Sequence, residues 1–311
     1  SLEFHSISDS ATLAAVNTFF SNPSFARHVS APNLHHPAPP RNLKSHNTLI
    51  ASDKVIWDQA YMEEYLGLHD KTHTWEYISE REYQVLRPIV GNALPSMAIS
   101  TIKRDENGAP CRAKYHIVVL GNLDQHDWSK SDCFAPVMSQ MEMRLLLAIA
   151  VQHKCLPKSG DFIQAFCQSL LPDDEKYVCR PPPGCPITPP NTYLLLKRTL
   201  YGLKRSPKHW FDKATAAFKT LGLTPCPNAP CLFTGVLIPG HPPLYVGLYV
   251  DDFLYFSEGP TVEAAFENGL QHDLNMGVDF DHNPQHFLGL KMECSRDTDD
   301  HVAVFLSQEA F

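Results

Sequence analysis

The chain has 311 residues, 43% hydrophobic and 19% charged, with a formal net charge of -8, which is enough to bury a sizeable core and too much for a peptide-scale binding module. The negative sum excludes a protein whose whole surface clamps nucleic acid. No apolar run reaches the ~20 residues that a membrane-spanning helix needs, so the expectation is a soluble chain with no membrane partner. The 9 cysteines are an odd number without a Cys-x-x-Cys pair, which favours reduced thiols over a disulfide framework. A zinc site from Cys179, Cys185, Cys226 and Cys231 would lack the short spacing that preorganises thiolates. Neither a secretion nor a transit signal opens the chain, and residue 1 is Ser1, so a piece of something longer is expected.

Residues 1–50 hold no persistent period and carry His35, His36, Pro37, Pro39 and Pro40, which reads as a linker, with a domain expected over 51–311. Val55, Ile56, Trp57, Ala60, Tyr61, Tyr65 and Leu66 recur at helical spacing and predict an amphipathic helix over 53–66, with Glu63 and Glu64 left for solvent. The runs 97–102 and 115–120 flank Asp105-Glu106-Asn107-Gly108, a β-hairpin signal. Helices are expected over 140–150 and after Ser206-Pro207, where Pro207 suits a first turn. Pro181-Pro182-Pro183-Gly184 between them is a loop. A strand pair over 244–256, a helix over 262–274 and strands over 287–294 and 302–307 complete an α+β pattern without internal repeats.

The sharpest feature is Asp251-Asp252 inside the apolar run Leu248-Tyr249-Val250 and Phe253-Leu254-Tyr255-Phe256. Aromatic and β-branched residues on either side predict two short strands, with Val250, Asp251 and Asp252 at the connecting turn and the acids exposed at its tip. Two carboxylates so close repel each other unless a cation compensates, and oxygen ligands of this kind suit Mg²⁺ or Mn²⁺. An ordinary exposed Asp-Asp turn is the alternative. A third acid, Asp161, ends what reads as a short strand in Lys158-Ser159-Gly160-Asp161-Phe162-Ile163-Gln164-Ala165-Phe166.

From here the chain resembles the reverse transcriptases of copia-type long-terminal-repeat retrotransposons, over roughly residues 57–311. The matching motifs, in order, begin with Trp57, Ala60 and Glu64, then Phe134-Ala135-Pro136-Val137, Asp161 with Ala165-Phe166, and Arg180-Pro181-Pro182-Pro183-Gly184. Leu200-Tyr201-Gly202-Leu203-Lys204-Arg205-Ser206-Pro207 through Trp210, Tyr249-Val250-Asp251-Asp252 and Phe287-Leu288-Gly289 follow. The resemblance implies a right-hand polymerase of α+β class with fingers and palm, the palm an antiparallel sheet backed by helices and the thumb largely missing. Asp161, Asp251 and Asp252, with the backbone carbonyl of Phe162, would ligate two ions of Mg²⁺ or Mn²⁺ for phosphoryl transfer from a deoxynucleotide to a primer 3′-hydroxyl.

It also implies that Phe166 gates the incoming sugar; without the resemblance a core aromatic is the better reading. Lys114, His116, Tyr201 and Gly202 would contact the nucleotide, while Lys204, Arg205, Lys208 and Phe287-Leu288-Gly289 would contact nucleic acid. The implied partners are an RNA template, a DNA primer, deoxynucleoside triphosphates and other parts of the same polyprotein, integrase and ribonuclease H. The implied setting is a cytoplasmic virus-like particle or the nucleus.

The cations Lys197, Arg198, Lys204, Arg205, Lys208, Lys213 and Lys219 stand against the single acid Asp212 over 197–219, a local basic stripe suited to phosphates or to a solvated helix face. His116 and Ile163 depart from the Arg and Lys expected at those positions; a neutral imidazole lacks the permanent charge and bidentate fork of a guanidinium. Two other readings stay open: a degenerate fragment that binds nucleic acid without polymerising, and a two-metal nuclease.

Overall fold

The computed structural model describes residues 37–104, 109–184 and 188–308. The predicted turn at 105–108, His35, His36 and Cys185 lie outside the described residues. In chain order these form helices α1 (Leu43–Asn47) and α2 (Ala51–Leu66), strand β1 (Trp75–Ser79), α3 (Glu80–Val90), β2 (Ser96–Arg104) and β3 (Pro110–Val119). Next come a short α4 (Lys130–Cys133), α5 (Gln140–Gln152), β4 (Lys158–Phe162), β5 (Val178–Cys179), β6 (Thr192–Leu196) and α6 (Ser206–Thr220). The rest is β7 (Thr224–Cys226), β8 (Ala229–Gly235), β9 (Leu244–Tyr249), β10 (Asp252–Phe256), α7 (Pro260–Asn268), β11 (Val278–Asp281), β12 (His286–Phe287), β13 (Leu290–Arg296) and β14 (Val302–Ser307). The class is mixed α/β.

Capping sets where several helices start. Asn42, Ser79, Ser129 and Ser139 each accept from the backbone N–H three residues on, and the side chain there reaches back to the cap, which satisfies two otherwise orphaned donors at each site. Such a box starts α1 at Asn42 and Ser45, inside the stretch read as linker, where a helix this short leaves no periodic signal.

The chain divides into two compact units. The described residues up to Asp127 with Leu170–Lys204 make the first, and Trp128–Ser169 with the described residues from Arg205 onward make the second.

In the first unit the β2–β3 hairpin lays Ala113, Tyr115, Ile117 and Val119 inward. Tyr115 meets the rings of Trp57 and Tyr61 of α2 edge-on. This packing overturns one expectation. Glu63 is exposed and pairs with Arg112 at 2.9 Å, but Glu64 is buried and accepts from the Ile117 N–H at 3.3 Å. Among the described residues β3 pairs with β2 alone, and on its other edge a carboxylate on the packed face of α2 takes up that donor.

In the second unit, strands in the order β11-β4-β10-β9-β8-β7 form a 6-stranded sheet with every pair antiparallel. Alternation along β10 sends Phe253 and Tyr255 into an aromatic core with Trp210 and Phe218 of α6 and Phe266 of α7. Leu254 and Phe256 face the opposite way, against Leu146 and Leu147 of α5 and Met292 of β13. The predicted strand over 287–294 is broken. Leu288 (φ 51°) and Gly289 (φ 72°) form a two-residue turn between β12 and β13, with Phe287 opposite Leu290. Two consecutive left-handed residues give the turn whose twist suits a tight hairpin.

Candidate active site

The β9–β10 turn consists of Val250 and Asp251. Val250 has φ 55°, a left-handed conformation unfavourable for a β-branched residue by about 1–3 kcal/mol. Two hydrogen bonds hold it there: the Trp210 indole N–H donates to the Val250 carbonyl at 2.6 Å, and the Phe162 N–H donates to the Asp251 carbonyl at 2.8 Å. Asp252 is not in the turn, contrary to expectation; it begins β10 opposite Tyr249. Both acids are half-buried rather than displayed at a free tip. The reason is pairing, because β4 runs along the other edge of β10 and extends its ladder to Asp252.

Asp252 is the direct partner of Asp161 on β4, and Asp161 is the direct partner of Asp279 on β11. Directly opposed residues of antiparallel strands point to one face with Cα atoms about 4.5–5.5 Å apart. Three carboxylates therefore stand in a row across three adjacent strands. Gly160 leaves room for the ring of Phe253, its direct partner on β10, since a Cβ there would lie 2.2 Å from that ring. The acids line a cavity of about 340 Å³ with Asp281, His286 and the Phe287-Leu288-Gly289 turn. Among the described residues no three His, Cys, Asp or Glu side chains converge closely enough to hold a metal ion; strand register places Asp161, Asp252 and Asp279 on one face.

Asp279 and Asp281 were missed from sequence, together with β11 itself. Their signal is the alternation Val278-Asp279-Phe280-Asp281, a period of two with buried Val278 on one face and exposed acids on the other. Four residues are too few to separate from a loop without the neighbouring strand.

The other predicted contacts divide between the units. In the second, Phe166 lies in the 3₁₀ turn Ala165–Gln168 and is half-buried at the margin of the aromatic core. In the first, Lys114 and His116 occupy the outward face of β3. His116 meets the Tyr201 ring edge-on at 5.9 Å, and burial, then the Lys114 and Lys103 charges, push its pKa below the usual imidazole value. The Val119 N–H donates to the Tyr201 carbonyl at 2.8 Å, and Gly202 (φ 94°) has no room for a Cβ, which would lie 1.9 Å from the Val119 carbonyl oxygen.

The basic stripe is largely engaged. Lys204 donates to the Asp124 carbonyl at 2.9 Å. Arg205 lies over the Trp128 ring and donates to the Asp132 carbonyl. Lys208 pairs with Asp212, and Lys213 donates to the Gln168 carbonyl at 2.6 Å.

Residues 82–304 match the family "Reverse transcriptase (RNA-dependent DNA polymerase)". The chain belongs to the reverse transcriptase family. Similar curated proteins include the retrovirus-related Pol polyprotein from transposon RE1 of Arabidopsis thaliana, 29% identical over 70% of this chain and 14% of that protein. That from transposon TNT 1-94 of Nicotiana tabacum is 24% identical over 68% of this chain and 15% of its own length. The transposon Ty1-GR3 Gag-Pol polyprotein of Saccharomyces cerevisiae is 24% identical over 78% of this chain and 13% of its own length. These relatives place the reverse transcriptase domain with the copia-type retrotransposon polyproteins, of whose length it spans 13–15% in the three compared. The matched residues include Asp161, Asp251, Asp252 and Asp279. No helix among the described residues is long and apolar enough to cross a membrane.

Proposed function

We propose that this reverse transcriptase domain extends a DNA primer on an RNA template, transferring a deoxynucleotide from its triphosphate to the primer 3′-hydroxyl with release of pyrophosphate. The observation that carries the reading is the register of Asp161 with Asp252 across β4 and β10, with Asp251 in the adjoining turn. These oxygen donors suit hard divalent cations, and Asp161, Asp251 and Asp252 with the Phe162 carbonyl would hold two ions of Mg²⁺ or Mn²⁺. Such ions, when bound, favour deprotonation of the attacking hydroxyl and neutralise charge on the departing pyrophosphate.

The first unit supplies the fingers and the second the palm. Lys114 pairs with the triphosphate, His116 contacts it as a neutral group, and Tyr201 with Gly202 forms the platform beneath the nucleotide. Phe166 closes the space that a ribonucleotide 2′-hydroxyl would need. The turn at Phe287-Leu288-Gly289, which lines the cavity of the acids, holds the primer end. Integrase and ribonuclease H of one polyprotein are the expected companions, working in a cytoplasmic particle or the nucleus.

Primer extension on a primed RNA template with Mg²⁺ or Mn²⁺ tests the reading. Extension is expected, and Asp161→Asn or Asp252→Asn should abolish it while far-ultraviolet circular dichroism stays unchanged. Full activity in either variant would sink the assignment. A non-polymerising nucleic-acid binder would use the same cations, Lys204, Arg205 and Lys208, which are engaged with the Asp124 and Asp132 carbonyls and the Asp212 carboxylate, so primer extension rather than salt-sensitive binding separates the two readings.

A further inference from the structure

We infer that Gln168 is a positioning residue that locks the exit of β4 to the entrance of β11, and thereby sets Asp161 and the turn that carries Phe166. The inference rests on the polymerase reading above and assigns a role to a buried polar side chain that is not one of the candidate metal ligands. Gln168 ends the 3₁₀ turn Ala165–Gln168 and is 8% exposed. Its Nε2 donates to the Ile163 carbonyl at 2.9 Å and to the Gly277 carbonyl at 2.8 Å, and its Oε1 accepts from the Gly277 N–H at 3.2 Å. The amide orientation is dictated by this network, since the flipped group would set its oxygen against two carbonyls.

The three bonds close a loop at its critical point. Ile163 follows the strand of Asp161, and Gly277 precedes the strand of Asp279; their own ladder bond, from the Ile163 N–H to the Gly277 carbonyl, is 2.9 Å. Between Asp161 and Phe166 the chain turns through Gln164 in a left-handed conformation (φ 48°). The Ile163 side chain is exposed and does not pin that turn. From outside, Lys213 of α6 donates to the Gln168 carbonyl at 2.6 Å, and the Ser169 hydroxyl donates to the His209 carbonyl at 3.3 Å. One side chain thus ties both strand ends to the turn of Phe166, and the Lys213 contact ties that turn to α6.

Gln168→Met keeps the volume and removes all three bonds. Three measurements apply: residue-resolved amide exchange, Mn²⁺ titration by electron paramagnetic resonance, and single-nucleotide extension with deoxy- and ribonucleotides. The expected result is faster exchange at Ile163 and Gly277, Mn²⁺ affinity weakened by about tenfold as for other groups that orient a ligand from outside, and a lower deoxy-to-ribo ratio. Loss of folding alone would move neither that ratio nor those two amides selectively. Unaltered Mn²⁺ affinity and sugar ratio in the folded variant overturn the positioning role alone, whereas failure of the unsubstituted chain to bind Mn²⁺ overturns the polymerase reading. Should Gln168→Met not fold, the unsubstituted chain still decides: unprotected exchange at the Gly277 amide overturns the lock, and protection lost on Lys213→Met supports it.

Discussion

The two units place their candidate functional groups by different means. In the second, Asp161, Asp252 and Asp279 sit on three adjacent strands of a 6-stranded sheet, and hydrogen-bonded register decides where they stand. In the first, Lys114 and His116 ride on a two-stranded hairpin backed by α2, and what they can do depends on the chemistry of each side chain. A one-residue slip of a sheet strand would send its acid to the other face, while a substitution on the hairpin face changes charge without changing register. The three acids expected from the sequence are all present, whereas position 116 carries His where an arginine was expected.

Filling one tight glycine in each unit breaks this comparison at its strongest point. Gly160→Ala drives a methyl into the Phe253 ring, and Gly202→Ala drives one into the Val119 carbonyl from a positive φ. Each should destabilise by about 1–3 kcal/mol or more in chemical denaturation. Amide exchange should rise in the second unit alone for Gly160→Ala and in the first alone for Gly202→Ala. Equal loosening of both units by either variant would show that they are not separately stabilised.

Restoring charge on the hairpin sharpens the contrast with a smaller effect. His116→Arg should lower the KM for deoxynucleotide by about tenfold, equivalent to about 1.4 kcal/mol, because a guanidinium adds a permanent charge and a bidentate fork. The same variant should melt earlier without nucleotide, since Lys114 and Lys103 already repel a cation at this position. An unchanged KM would remove His116 from the nucleotide contacts.

The smallest expected effect is on pH dependence. The folded-state pKa of His116 lies below the unfolded value of 6.5, so the unfolded chain takes up its proton first as pH falls. The stability this residue contributes is therefore complete above 6.5 and is lost as pH falls through the folded value. Melting temperatures of the unsubstituted chain and His116→Gln should converge or cross as pH is lowered from 7.5 toward 5. Parallel curves would show that the imidazole is solvated.

Much of the candidate site was legible in the chain itself, because adjacent acids within an apolar run and an aromatic five residues after a third acid are local patterns with local causes. The helices of α2, α5 and α6 and the strands around Asp251-Asp252 were legible for the same reason: their periods and starting residues lie within one element. What tertiary structure alone decided is everything that depends on a neighbour. Glu64 is buried because an edge N–H of β3 needs an acceptor, and Asp252 belongs to a strand because β4 extends the ladder to it. Val250 holds a left-handed turn because Trp210, 40 residues earlier in the chain, donates to its carbonyl. Asp279 joins the acids because strand register crosses β4, and Gln168 holds Gly277 across 109 residues. Propensity and period act within a few residues, whereas register, burial and hydrogen-bond satisfaction are settled only when distant segments meet.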